Sequence, residues 1–216
     1  VLMFILMIVG IIYVEQGQRR IPIQFAKRVR GRKVMGGQST YIPLKVNSAG
    51  VIPVIFATSV LFFPALIATS LPQDNSITAG IRNWIDVNLA NSQGTSWFYI
   101  FFLGMLIIFF TYFYTTIQFD PVRQSDMIRR QGGFIPGVRP GISTTNYLSH
   151  IVSRITLPGS VFLASVAVLP SIASAIWDIP LGFGGISILI TVGVALETMK
   201  QIESQLSMRN YEGFID

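Results

Sequence analysis

Residues 38–64 read QSTYIPLKVNSAGVIPVIFATSVLFFP, a polar stretch of strand-like alternation running directly into an apolar run of membrane length. The apolar run opens on Asn47, Ser48, Ala49 and Gly50 and carries Pro53 and Pro64. In hydrocarbon every backbone group needs a partner inside the protein, so a span that merely crosses lipid is best served by a plain aliphatic helix. Asn, Ser and two prolines in one run therefore predict a helix facing protein or water along one side. The chain reads as part of a membrane protein, and this span as its working surface.

The composition agrees. Of the residues 51% are hydrophobic and 12% charged, and the mean hydropathy is +0.57, far from the balance of a soluble domain. Cysteine is absent, which removes disulfides, thiolate metal sites and thiol nucleophiles. His150 is the sole histidine, so metal chemistry has little to work with. Residues 1–14, VLMFILMIVGIIYV, are apolar but short of the roughly twenty a helix needs to cross a bilayer. With no basic n-region they do not read as a signal peptide. They read as the second half of a span, and the chain as the C-terminal part of a longer polypeptide.

Further spans are expected over residues 47–70, 96–119, 147–174 and 182–200. The loop 15–46 carries Arg19, Arg20, Lys27, Arg28, Arg30, Arg32, Lys33 and Lys45 against Glu15 alone. The loop 71–95 has only Asp74, Arg82 and Asp86, whereas 120–146 again holds Arg123, Arg129, Arg130 and Arg139. The short loop 175–181 carries Trp177 and Asp178. Positive charge thus alternates loop by loop, which places 15–46, 120–146 and the tail 201–216 in the cytoplasm and the other two loops outside.

Within the first loop Ile21, Ile23 and Phe25 alternate with polar or small residues, and Tyr41, Pro43 or Leu44, and Val46 do so less cleanly. Between them lies KRVRGRK, residues 27–33, with Gly36 and Gly37 as turn signals. The pattern predicts a two-stranded ribbon with cations at its tip. Such a ribbon is marginal alone, so it must rest on a partner or on its own spans. In the second loop Ile77, Ile81, Ile85 and Leu89 fall at helical spacing beside Trp84. They predict a short amphipathic helix, on the outer membrane surface or packed over the span ends.

An intramembrane serine enzyme needs a nucleophile hydrogen-bonded to a base. Ser160 and His150 share one span, but ten helical residues separate them by about 15 Å. Carboxylates are missing from mid-span, since Glu197 lies close to Lys200, so no catalysis and no cofactor are expected. A secondary transporter would place charge or broken helices near the midplane. The prolines of 47–70 and the glycines of LGFGGIS, residues 181–187, fit that weakly, and Arg154 can snorkel to the interface. Half of such a transporter remains the alternative. Basic loops orient any helical membrane protein, but six of the seven residues 27–33 are basic or glycine, more than orientation needs. A projecting cationic ribbon suits RNA phosphate or an acidic protein surface. In GFIPGVRPG, prolines and glycines either hold Arg139 in a rigid loop or form a simple turn with a solvated arginine.

At QSTYIPLKVNSAGVIPVIFATS (38–59), GGFIPGVRPG (132–141) and YEGFI (211–215) the chain closely resembles the SecY family, channel subunits of the bacterial protein translocon. The resemblance implies an all-α polytopic membrane protein, the C-terminal half (spans six to ten) of a ten-helix pseudo-symmetric fold with a cytoplasmic β-ribbon-like loop. It implies a multi-pass protein of the bacterial plasma membrane, C-terminus in the cytoplasm, that conducts unfolded secretory chains and releases membrane segments into lipid. By the same resemblance Ile55 and Ile190 fall in the apolar pore ring, and Asn47 and Phe63 at the lateral gate. A depth of about 12 Å for Ile55 beyond Asn47, at helical rise, suits a mid-membrane ring. Lys27, Arg28, Arg30, Arg32, Lys33, Arg129, Arg130 and Arg139 match the docking surface for the ribosome and the motor ATPase SecA. The other partners implied are SecE, SecG, the N-terminal half of the subunit, secretory and membrane-protein substrates, and the lipid bilayer.

Overall fold

Apolar runs this long bury their backbone polarity by coiling, and helices dominate the computed structural model, which describes residues 2–25, 28–30, 33–35, 39–70, 76–89, 96–177 and 185–212. The order is α1 (Leu2–Gln16), β1 (Gln18–Phe25), β2 (Arg28–Arg30), β3 (Lys33–Met35), β4 (Ser39–Lys45), α2 (Ile52–Ser70) and α3 (Ser76–Asn88). Then follow α4 (Trp97–Gln118), α5 (Pro121–Arg130), β5 (Gly133–Phe134), α6 (Ile142–Trp177) and α7 (Gly185–Glu212). Among the described residues, α2, α4, α6 and α7 are long and apolar enough to cross a membrane, and α1 is a shorter apolar helix.

Two hydrophobic cores organise the chain. The larger joins Met7 and Ile11 of α1, Val54, Ala57 and Leu61 of α2, Leu103 and Ile107 of α4, Leu163 and Ala167 of α6, and Leu189 of α7. The smaller joins Ile21, Ile23 and Leu44 of the ribbon to Ile128 of α5, Ile135, and Leu148 and Ile151 of α6. Helix α6 belongs to both. Its 36 residues make a rod of about 54 Å against about 30 Å of hydrocarbon, so its first turns stand clear of the bilayer and carry the ribbon. Pro158 and Pro170 lie inside it, each removing a backbone donor. Around Pro158 the hydroxyls of Thr156 and Ser160 donate to the carbonyls of Val152 and Leu157.

The ribbon is wider than two strands. β1 pairs antiparallel with β4 from Gln18↔Lys45 to Gln24↔Ser39, and its other edge takes β5 at Gln24↔Phe134 and Phe25↔Gly133. β2 and β3 form a separate tip ladder. Ile21 and Ile23 point inward, in the phase expected. On β4 the phase is the opposite of that suggested by Tyr41 and Pro43. Ile42 and Leu44 face the small core, while Tyr41 is exposed and carries the Arg20 guanidinium 4.9 Å above its ring. Pairing decides this, because Ile42 lies opposite the buried Ile21 and cross-strand partners share a face. Pro22 and Pro43 sit where a missing N–H is tolerated, since β4 is an edge strand and β5 does not extend to Pro22.

Two elements differ from the sequence-based expectation. The stretch 120–146 contains a helix, α5. Asp120 caps it, its side chain accepting from the Val122 and Arg123 amides at 2.9 and 3.3 Å, and Pro121 occupies the first turn, as N-terminal geometry favours. Residues 46–51 precede α2 as bends and a turn, with Gly50 at φ 64, a conformation that no continuing helix admits. Asn47 therefore stands before its helix, and the helical-rise depth taken from it does not apply.

Gly159 of α6 fixes how the ribbon meets the spans. A Cβ there would lie 2.7 Å from the Val46 carbonyl oxygen, a backbone atom with little freedom to retreat. Gly159→Ala should destabilise the protein by roughly 1–3 kcal/mol, as overpacking does, and lower its melting temperature in detergent. In α3, a Cβ on Gly80 meets nothing within 4 Å, so Gly80→Ala should instead stabilise by about 1 kcal/mol through helix propensity.

Candidate functional site

Helix α2 is two-faced. Val54, Ala57, Leu61, Ala65 and Ala68 are buried at helical spacing, and the opposite face presents Ile52, Ile55, Phe56, Phe63 and Leu66. Ile55 is 46% exposed and Phe63 63% exposed. Eight residues apart, they lie about 12 Å from each other along the axis and about 80° apart around it, on the same exposed side of the helix. One candidate ring residue and one candidate gate residue thus share an exposed, largely apolar face, with the exposed Ser59 between them.

Ile190, partly buried, comes level with Ile55 through a contact between other residues. A Cβ on Gly193 of α7 would lie 3.3 Å from Val51 Cγ2, so the two chains touch there. From Val51 the backbone turns helically into α2, the Ile55 amide donating to the Val51 carbonyl at 3.3 Å, and leads away from the ribbon. α7 runs the other way. Four residues beyond Val51 and three before Gly193, Ile55 and Ile190 lie at nearly the same height, about 6 and about 4.5 Å from the contact.

Asn47 does not share the exposed face. It is 5% exposed, and its Nδ2 donates to Glu15 Oε2 at 2.9 Å. Its Oδ1 is buried and, among the described residues, has no hydrogen-bond partner. Glu15, which sequence reading had only as the lone acid of a basic loop, is thus part of the site. Only the strand register, spanning 32 residues from donor to acceptor, could have brought the pair together.

The basic candidates gather at the ribbon end. Arg129 and Arg130 are exposed on the last turn of α5. Arg28, Arg30 and Lys33 lie in the tip ladder, while Lys27 and Arg32 lie outside the described residues. Arg139 is exposed on a loop whose backbone is firmly held, the first of the two options left open by its prolines and glycines. Ile135 is buried beneath it, the Val138 amide donates to the Ile135 carbonyl at 3.1 Å, and Thr144 Oγ1 donates to the Arg139 carbonyl at 3.0 Å. Ser125 Oγ of α5 reaches the Gly141 carbonyl at 3.1 Å. Gly137 and Gly141, at φ 83 and 114, make the turns that other residues rarely make.

Among the described residues, four helices long and apolar enough to span, with exposed arginines gathered at one end, define a multi-pass membrane protein. The SecY family model matches residues 1–199, and the chain belongs to the SecY family. The protein translocase subunit SecY of Streptomyces scabiei is 52% identical over 217 residues, covering 98% of this chain and 47% of that protein. The subunit of the same name from Mycobacterium bovis is 51% identical over 219 residues, covering 98% and 49%. The chain thus spans about half the length of these relatives. Among solved structures, one described as a protein-conducting channel superposes with a TM-score of 0.59 at 17% identity, over 93% of this chain and 47% of that one. A SecY protein studied for its plug domain gives 0.55 at 16%, over 93% and 48%. These structures share the fold.

The hold on the Arg139 loop can be measured. Ser125→Ala and Thr144→Val each remove a hydrogen bond worth about 1 kcal/mol. Hydrogen exchange at the Val138 amide should quicken roughly fivefold for each, with the melting temperature of the spans little changed.

Proposed function

We propose that this chain contributes the second half of a protein-conducting channel in the bacterial plasma membrane, with the ribbon end and the C-terminus in the cytoplasm. The channel passes unfolded secretory polypeptides across the membrane and releases membrane segments into it. The observation that carries the reading is the exposed, largely apolar face bearing Ile55 and Phe63 on a span whose other face is core, with Ile190 level with Ile55. Branched aliphatics facing one another close a pore by dewetting and still deform around a passing chain. Asn47 and Phe63 border the lateral gate in this reading. There a buried amide contact of about 1 kcal/mol biases closure without locking it. No catalysis falls to the chain itself.

Energy comes from docked machinery, the translating ribosome or SecA, and the channel works with SecE, SecG and the N-terminal half of its own subunit. The exposed Arg129, Arg130 and Arg139, with the tip cations Lys27, Arg28, Arg30, Arg32 and Lys33, form the docking platform. A held backbone under Arg139 favours a specific contact, since little ordering entropy remains to be lost on binding.

Since the present sequence has no cysteine, Ile55→Cys in the intact subunit, with any cysteine elsewhere in that subunit replaced by serine, offers a single thiol. With a stalled secretory chain carrying one cysteine, a disulfide should form in a yield that depends on where that cysteine lies. A productively engaged chain that never crosslinks, at any position tried, makes Ile55 a packing residue and removes the ring. Arg139→Glu should abolish SecA-driven export while the subunit still inserts into the membrane; loss of both would mark a folding role.

A further inference from the structure

We propose that α3 is an interfacial anchor, its flank of Ile81, Trp84 and Val87 lying among the phospholipids at the membrane surface opposite the ribbon. Helix α4 fixes the height. It ends beside α5 at Gln118, so its first residue, Trp97, marks the far end of the bundle. Its 22 residues cover about 33 Å, close to the thickness of the hydrocarbon. Phe98 therefore stands at the hydrocarbon boundary, and the Trp84 ring meets it edge-on with centroids 5.5 Å apart. Phe98 in turn lies 4.7 Å from Phe102, one turn further on, so aromatic contacts run from α3 into the depth of a span.

The helix divides around its axis. It packs on α2 and α4, and Ile85 and Leu89 are partly buried, Leu89 against the larger core. At about 100° per residue, Ile81, Trp84 and Val87 follow one another in steps of about 60° to one side of that edge. They are 48, 52 and 57% exposed, too much apolar surface on one flank for water to cover cheaply. Asn88 falls on the same flank, but its amide turns back to donate to the Trp84 carbonyl at 2.9 Å. The other side carries Arg82 and Asp86, paired at 3.7 Å, and the exposed Ala79 and Asn83. An indole suits the boundary in particular, its ring apolar and its N–H a donor for headgroup oxygens. Arg82 and Asp86 are the only charged residues of α3 and they cancel, so apolar burial rather than headgroup charge holds the helix. Seated in this way, α3 ties the ends of two spans to the membrane surface.

The test places one nitroxide at a time on the intact translocon, otherwise freed of cysteine, in phosphatidylcholine vesicles. The labelled variants are Ile81→Cys, Trp84→Cys and Val87→Cys on the apolar flank, with Ala79→Cys and Asn83→Cys on the other. Power saturation compares relaxation by oxygen, which concentrates in the bilayer, with relaxation by a water-soluble nickel chelate. The oxygen-to-nickel ratio should be several-fold higher at the first three positions than at the last two. It should stay so when phosphatidylglycerol replaces part of the lipid. Ile81→Cys and Val87→Cys carry the comparison if Trp84→Cys does not assemble. Equal nickel access on both flanks overturns the anchor, since water then covers α3. Little access for either reagent on the apolar flank overturns it too, since another protein segment then covers that flank. A high ratio seen only with phosphatidylglycerol overturns the apolar mode of holding.

Discussion

The contact on which the rest of this structure depends is a backbone carbonyl lying where a side chain would normally be. Val46 O approaches α6 so closely at Gly159 that even a methyl group is excluded. Because of that approach the strands leave the membrane bundle already pressed against α6. Leu148 and Ile151, earlier on the same helix, can then bury Ile21, Ile23 and Leu44. Remove the close approach and the ribbon becomes an isolated hairpin, which water does not stabilise. α6 is long because it serves two solvents, holding one core in hydrocarbon and another beyond it.

Legibility followed the range of the interaction. Spans and β1 were readable because hydropathy and alternation are local, and Ile21 and Ile23 stand in the phase their spacing suggested. β4 was ambiguous because both Tyr41 and Ile42 are apolar enough to face inward, and only pairing opposite Ile21 settles the matter. α5 was local and still passed over, although Asp120–Pro121 is a start signal and Gly132 a stop. Its buried stripe is only Ser125 and Ile128, a weak apolar signal within the basic stretch 120–146. The candidate pore and gate residues rest on family resemblance alone, because an isoleucine in a span carries no mark of what it faces. Glu15 was illegible as a partner because the bond it makes depends on a register set far along the chain.

Charge and apolarity divide the molecule by end and by face. Exposed arginines gather at one end, where Thr144 and Ser125 hold the Arg139 loop from beneath and leave its side chain exposed. The exposed face of α2 is mostly Ile, Phe, Leu and Val, and its exposed Ser59 bonds back to its own helix at the Ile55 carbonyl. A surface of that kind can accept many sequences, because apolar contact is not directional, whereas a guanidinium on a fixed loop selects geometry. Directional hold at the arginine loop and non-directional apolar contact on α2 are thus different physics at different places.

The pairing of β5 with β1 ties two loops, more than a hundred residues apart, into one sheet. Its consequence is felt in what lengths evolution can tolerate. An insertion between Arg130 and Gly133, or within β1, would shift Phe134 off Gln24 and pull Ile135 from its place under the arginine loop. The stretch between β1 and β4 is under no such rule, because its own tip ladder closes on itself. Homologous chains should therefore vary in size at the tip of the ribbon and keep strict spacing at its base.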